Sequence, residues 1–172
     1  MKKLFCGIIR FVRSAPEVAA AGFSVAMLAT AYGFEYLGGY VPCDLCWTQR
    51  YAHMGVVALG VLLGLSRPIW QVSAQLRGGL LSLALLGSAG IAGYHAGVEY
   101  KWWEGPSACS ASSEIGSFST DQLLNNLMNA PLISCGDIPW HLFGISMAGY
   151  NFLLSFGMAL LLWGSVKGNK DA

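Results

Sequence analysis

The sequence predicts an all-α integral membrane protein, a four-helix bundle with two outer loops. Charge comes first: only 11% of the 172 residues are charged while 55% are hydrophobic, and the mean hydropathy is +0.52. Soluble domains carry about 25% charged residues, so the deficit points to lipid. Four apolar stretches follow, at about 18–41, 50–66, 78–98 and 142–163. A helix needs roughly 20 residues to cross a hydrocarbon core of about 30 Å. Finally, no segment alternates apolar and polar residues over the distance that a membrane strand requires. The length fits a single membrane domain, 1–172.

The first stretch reads as a retained helix and not as a cleaved signal peptide. Its apolar run exceeds the usual h-region of about 7–15 residues, and a long basic segment precedes it. The second stretch is short between Arg50 and Arg67, so both arginines are expected to snorkel to the headgroups. The third and fourth reach spanning length. Small residues four apart, Gly60 with Gly64 and Gly93 with Gly97, permit close helix packing.

Orientation follows from the basic residues. Lys2, Lys3, Arg10, Arg13, Arg67, Arg77, Lys167 and Lys170 share one side of a four-span topology, whereas only Arg50 and Lys101 fall on the other. The positive-inside rule places both termini in the cytoplasm. Outer loops then cover about 42–49 and 99–141, and they hold Cys43, Cys46, Cys109 and Cys135. Cys6 stays inside, without a partner. The formal net charge of +1 argues against nucleic-acid binding, which needs a dense basic face.

Pro42-Cys43-Asp44-Leu45-Cys46 is the strongest local motif. Two cysteines three positions apart close and reopen a small disulfide with little movement, and such pairs often lower the pKa of one thiol. Cys46 sits near the start of a helix, where the dipole favours an anion, and Arg50 adds a positive charge one turn on. A permanent staple or half of a zinc site is the alternative. A four-cysteine zinc site usually shows two such knuckles, and Cys109 and Cys135 do not form a second. A staple this small closes too short a loop to stabilise much.

An even cysteine count outside the cytoplasm makes a Cys109–Cys135 disulfide the default pairing, with a catalytic and a purely structural role both open. Between them, Thr120 reads as an N-cap. Leu123, Leu124, Leu127 and Met128 follow at helical spacing, as in a short amphipathic helix on the outer leaflet.

Cys43-Asp-Leu-Cys46-Trp-Thr-Gln-Arg50, four spans and a second cysteine pair in the later outer loop resemble the disulfide bond formation protein B (DsbB) family over nearly the whole chain. The resemblance implies a thiol:quinone oxidoreductase of the bacterial inner membrane, which reoxidises a periplasmic DsbA-like dithiol. It implies that Cys109 and Cys135 exchange with that partner, Cys109 forming the mixed disulfide. Cys43 and Cys46 would reduce ubiquinone or menaquinone, with Cys46 beside the ring and Arg50 beside its head group. His95, anchored by Gly93-Tyr94-His95, resembles a histidine near the outer end of the family's third helix, and a quinone-binding role is implied for it. No metal is expected.

Taken as residues alone, Arg50 reads equally as an interfacial anchor, and His95 as a capping histidine. Glu35 and Glu99 are left without an assigned role. The rival readings are a vitamin K epoxide reductase-like quinone reductase, and a non-enzymatic membrane scaffold whose cysteines bind zinc or staple loops.

Overall fold

The computed structural model describes residues 2–68, 72–106 and 134–167. Among them the chain is almost entirely helical: α1 Lys2–Ser14, α2 Pro16–Tyr36, α3 Asp44–Leu65, α4 Ala74–Glu99 and α5 Met147–Lys167, with a short hairpin, β1 His141–Leu142 and β2 Ile145–Ser146, just before α5. Helices α2 and α4, and α5 over Met147–Gly164, are long and apolar enough to cross a membrane. This is the architecture of an all-α, multi-pass membrane protein. Helix α3 is equally long, but Asp44, Gln49, Arg50 and His53 crowd its first turns and lower its apolar content.

Local chemistry sets the boundaries. Pro16 opens α2, where its missing N–H costs no helical bond. The apolar run continues to Val41, yet the helix stops at Tyr36, and Gly39 turns the chain at φ +72°. Cys43 caps α3, its sulfur accepting the Cys46 N–H at 3.3 Å, and Ser73 caps α4 by accepting from the Leu76 N–H. In the hairpin, Phe143 and Gly144 both take positive φ, 51° and 76°, as a two-residue type I′ turn requires.

Two elements fall outside the sequence expectation. Helix α1 precedes the first apolar stretch, and Arg10 and Arg13 on it are exposed while Val12 is buried against the bundle. The hairpin occupies the start of the stretch expected to be the fourth span. The amphipathic helix expected around Thr120 lies outside the described residues.

Helix α4 packs most extensively on α5, and α3 lies between α2 and α4. Their core is built from Ala20, Val56, Leu81, Leu85, Ala159 and Leu162. Close approach depends on glycine. A Cβ at Gly60 would sit 3.0 Å from the Glu17 carbonyl oxygen on α2, and one at Gly93 would sit 3.1 Å from the Phe152 ring on α5. At the end carrying α1, buried Glu17 pairs with Arg67 at 3.0 Å and Arg77 at 3.5 Å, tying three helices together. At the other end Lys101, at φ 60°, turns the chain out of α4 and reaches the Gly136 carbonyl at 2.6 Å. The Tyr100 hydroxyl donates to the Gly144 carbonyl at 2.8 Å and accepts from the Ser146 N–H at 3.0 Å, so the hairpin is clamped to α4.

Candidate functional site

The start of α3, the end of α4 and the segment before the hairpin meet at one place. Cys43 and Cys46 are free thiols with sulfurs 3.0 Å apart. They share an apolar cluster with Leu45, Val98 and Cys135, which is 1% exposed and disulfide-bonded. Cys109 lies outside the described residues. Both cysteine-bearing segments are thus packed at the same point, although Cys46 and Cys135 stand far apart in sequence.

As the N-cap, Cys43 receives the helix-terminal N–H of Cys46, so the dipole acts on Cys43 directly. The Cys46 thiol beside it holds the Cys43 thiol well below its usual range, from 9.0 to about 4. Burial opposes this, while a hydrogen bond with His95 adds to it. The expected anion stabilisation near the helix start therefore falls on Cys43, with Cys46 as proton donor, because the capping residue and not the third helical residue faces the free N–H groups.

His95 is 2% exposed, and its Nε2 lies 3.6 Å from the Cys43 sulfur. Its Nδ1 meets the Gln49 amide nitrogen, and Glu99 Oε1 stands 3.9 Å from Nε2. Glu99 is buried, and its Oε2 has no hydrogen-bond partner among the described residues. The two sulfurs and the His95 nitrogen lie within 4.8 Å of one another, a spacing that a metal ion can bridge. Among the described residues these three donors are one short of the four ligands of a structural zinc.

Arg50 does not snorkel. It is 6% exposed, ion-paired to Glu35 of α2, and its guanidinium carbon stands 4.6 Å from the Tyr32 ring centroid and 4.9 Å from that of Trp47. The paired carboxylate and two aromatic faces make burial of this charge tolerable.

A cavity of about 340 Å³ opens beside these groups between α2, α3, α4 and α5. Its wall is mainly apolar, with Met27, Phe34, Pro139 and Trp140 among its lining, and Cys46, Arg50, His95 and Glu99 supply polar edges. This size and character, apolar with a few convergent polar groups, are those of a small-molecule site.

Sequence reasoning missed a polar seam that runs along the cavity wall, where Gln49, His53 and Asn151 are all lining residues. Asn151 of α5 donates to the Gln49 carbonyl oxygen at 2.6 Å and accepts from Ser155 at 2.9 Å and from His53 at 2.9 Å. His53 in turn meets Ser24 of α2 at 3.2 Å. The available signal was polar residues four apart in apolar helices: Gln49 with His53, and Asn151 with Ser155.

The family model described as disulfide bond formation protein DsbB matches residues 14–164. Disulfide bond formation protein B of Shewanella sp. (strain MR-4) is 29% identical over 160 residues, covering 90% of this chain and 89% of the relative. That of Verminephrobacter eiseniae is 31% identical, covering 80% and 77%. An uncharacterized protein of Rickettsia prowazekii is 26% identical, covering 81% and 79%. No solved structure matches the chain. A buried thiol pair packed against a disulfide-bonded cysteine is the local counterpart of a match that spans the bundle, and the chain belongs to the disulfide bond formation protein B family of disulfide-generating oxidoreductases.

Proposed function

We propose that this chain oxidises a periplasmic DsbA-like dithiol and passes the electrons through two cysteine pairs to quinone in the bacterial inner membrane, with both termini cytoplasmic and α3 as the second of four spans. The observation that carries this reading is the position of Cys46. It lines an apolar cavity while its partner Cys43 packs against disulfide-bonded Cys135. The motif therefore faces an apolar ligand on one side and a second cysteine pair on the other.

In the proposed order, a thiolate of the partner attacks the Cys109–Cys135 disulfide at Cys109, and the partner's second thiolate resolves the mixed disulfide. The partner leaves oxidised and Cys109 and Cys135 are left as thiols. These attack the Cys43–Cys46 disulfide in turn, reforming their own bond and leaving Cys43 as thiolate and Cys46 as thiol. Each exchange moves two electrons through a mixed disulfide.

Quinone, ubiquinone or menaquinone, supplies the terminal acceptor for two electrons and two protons. The cavity fits such a group, since its wall is apolar, Arg50 offers donors at its edge and His95 is among the lining residues. Within it, Cys46 presents its sulfur to the ligand. Arg50 lowers the cost of negative charge on a ligand oxygen. The ring of His95 holds the thiolate of Cys43 through Nε2.

The deciding experiment supplies reduced DsbA and a soluble quinone to the purified, metal-free protein, with Cys43→Ala and Cys109→Ala as controls. Turnover in wild type and its loss in both variants is the expected result. Absence of turnover in folded wild type refutes the reading. Stoichiometric bound metal in the purified protein, removed by chelation with gain of thiol reactivity, favours the scaffold reading instead.

A further inference from the structure

The buried seam has a direction. Asn151 Oδ1 receives the Ser155 hydroxyl and His53 Nε2, so its amide nitrogen points to the Gln49 carbonyl oxygen. With that carbonyl engaged, the Gln49 amide nitrogen donates to His95 Nδ1. A ring nitrogen that accepts carries no proton, so the neutral His95 ring keeps its hydrogen on Nε2, the atom 3.6 Å from the Cys43 sulfur. At the far end, His53 donates through Nε2, which leaves its Nδ1 to accept from Ser24. From Ser24 to His95 each donor points toward Cys43, and the Ser88 hydroxyl stands beside His53 Nε2 at 3.4 Å.

We propose that His53, Asn151 and Gln49 are positioning residues that lock the tautomer of His95, so that its Nε2–H is held against the Cys43 sulfur and the thiolate is stabilised from the middle of the bundle. This rests on the reading of Cys43 as a redox thiol. Gln49, His53 and Asn151 are each no more than 8% exposed, and they bond to one another along the cavity wall. Bonds aligned head to tail polarise one another, and a low dielectric strengthens the effect. The seam also draws on all four long helices: Ser24 on α2, Gln49 and His53 on α3, His95 on α4, Asn151 and Ser155 on α5. The orientation of His95 therefore reports whether the helices are correctly assembled.

The titratable groups facing Cys43 are Cys46 from its own helix and His95 and Glu99 from α4, while Cys135 in the same cluster is disulfide-bonded. Asn151 lines the cavity and its hydrogen bonds go to Gln49, His53 and Ser155, so its variants reach Cys43 only through Gln49 and His95. Asn151→Asp is the sharpest perturbation. A carboxylate offers only acceptors, so Gln49 must turn its amide nitrogen toward position 151 and its carbonyl toward His95. That moves the ring hydrogen to Nδ1 and leaves a bare lone pair facing the thiolate. Gln49→Met, of similar shape, removes the link altogether.

The test uses the full chain in detergent, metal-free, with Cys43 and Cys46 reduced. It reads the His95 tautomer by ¹⁵N chemical shifts, and the pH midpoint of Cys43 alkylation by peptide mass spectrometry. Wild type is expected to show hydrogen on Nε2. Asn151→Asp is expected to show it on Nδ1, and to raise the alkylation midpoint by about one pH unit, a tenfold loss of thiolate below that midpoint. Gln49→Met is expected to give mixed tautomers and a rise in the same direction, and it decides the matter if Asn151→Asp does not fold. An unchanged tautomer, or an unchanged midpoint despite a changed tautomer, in a variant that melts as wild type does, overturns the proposal. Quinone turnover is not read, so failure of the electron-transfer reading and failure of this one are distinguishable.

Discussion

Cys43 makes a prediction about pH that its reaction rate alone would hide. An ordinary thiol ionising at 9.0 is about 1% thiolate at pH 7. Cys43, lowered from 9.0 to about 4, is thiolate almost entirely. The population gain is about a hundredfold, but nucleophilicity falls with basicity at a Brønsted slope of about 0.4–0.5, which costs about the same factor. The two effects nearly cancel at neutral pH. What survives is the shape of the profile. Alkylation of reduced Cys43 by iodoacetamide should be flat from about pH 6 to 9, whereas a reference peptide thiol rises about tenfold per pH unit over most of that range. Cys46→Ala removes the largest stabilising partner and should restore the rise. Linkage gives a second readout with a definite sign. The native thiol ionises below the unfolded one, so this contribution to stability grows as pH rises from about 4 toward 9 and is lost on acidification through about 4. A wild-type Cys43 profile that climbs in parallel with the reference thiol refutes this account of the site.

Removing Glu35 leaves the Arg50 charge buried without its partner. Glu35→Leu should cost about 2–3 kcal/mol in thermal unfolding, below the figure of about 3–5 for a fully buried pair because Glu35 keeps 20% exposure. The double variant with Arg50→Met should recover most of the loss, and equal melting of wild type and Glu35→Leu would contradict the pairing. A Cβ at Gly97 would lie 2.0 Å from the Trp103 ring, so Gly97→Ala should displace that ring and destabilise by about 1–3 kcal/mol. It should also free the indole N–H from its 2.9 Å bond to the Tyr94 carbonyl, seen as faster hydrogen exchange. Gly90→Ala, with nothing within 4 Å, is the matched control and should melt within about 0.5 kcal/mol of wild type. Exposed Cys6 should react with a membrane-impermeant maleimide in inverted vesicles and not in intact spheroplasts, and labelling from the outside would reverse the proposed topology.

Much of this was legible because it is local. The Cys43-to-Arg50 spacing is a property of a few consecutive residues, and apolar runs announce helices whether or not their partners are known. The Glu35–Arg50 pair was not legible, since it forms between helices across a turn and depends on how α2 and α3 face each other. Taken as a residue alone, Arg50 accordingly read equally as an anchor, although it is buried between two rings. The direction of the seam was hidden for the same reason. Gln49, His53 and Asn151 are unremarkable singly, and their meaning arises when four helices bring them into register. Helix α1 escaped because its residues resemble the basic flank of a span. The hairpin escaped because strands of two residues leave no periodicity to detect.

The clamp formed by Tyr100 and Lys101 fixes both ends of the chain that runs from them to Gly136, with Cys135 of the site at its far end. Both ends of that segment are pinned to the bundle by hydrogen bonds at positions 101 and 136 and by the tyrosine bridge to 144 and 146. Closing a longer loop between fixed ends costs little, about 0.6 kcal/mol for each doubling. A change of length between positions 106 and 134 therefore costs the fold little, while the wall that holds Cys43, His95 and the cavity keeps its geometry. In evolutionary terms the anchoring hydroxyl and amine let the bundle hold its shape while the segment they close is rewritten.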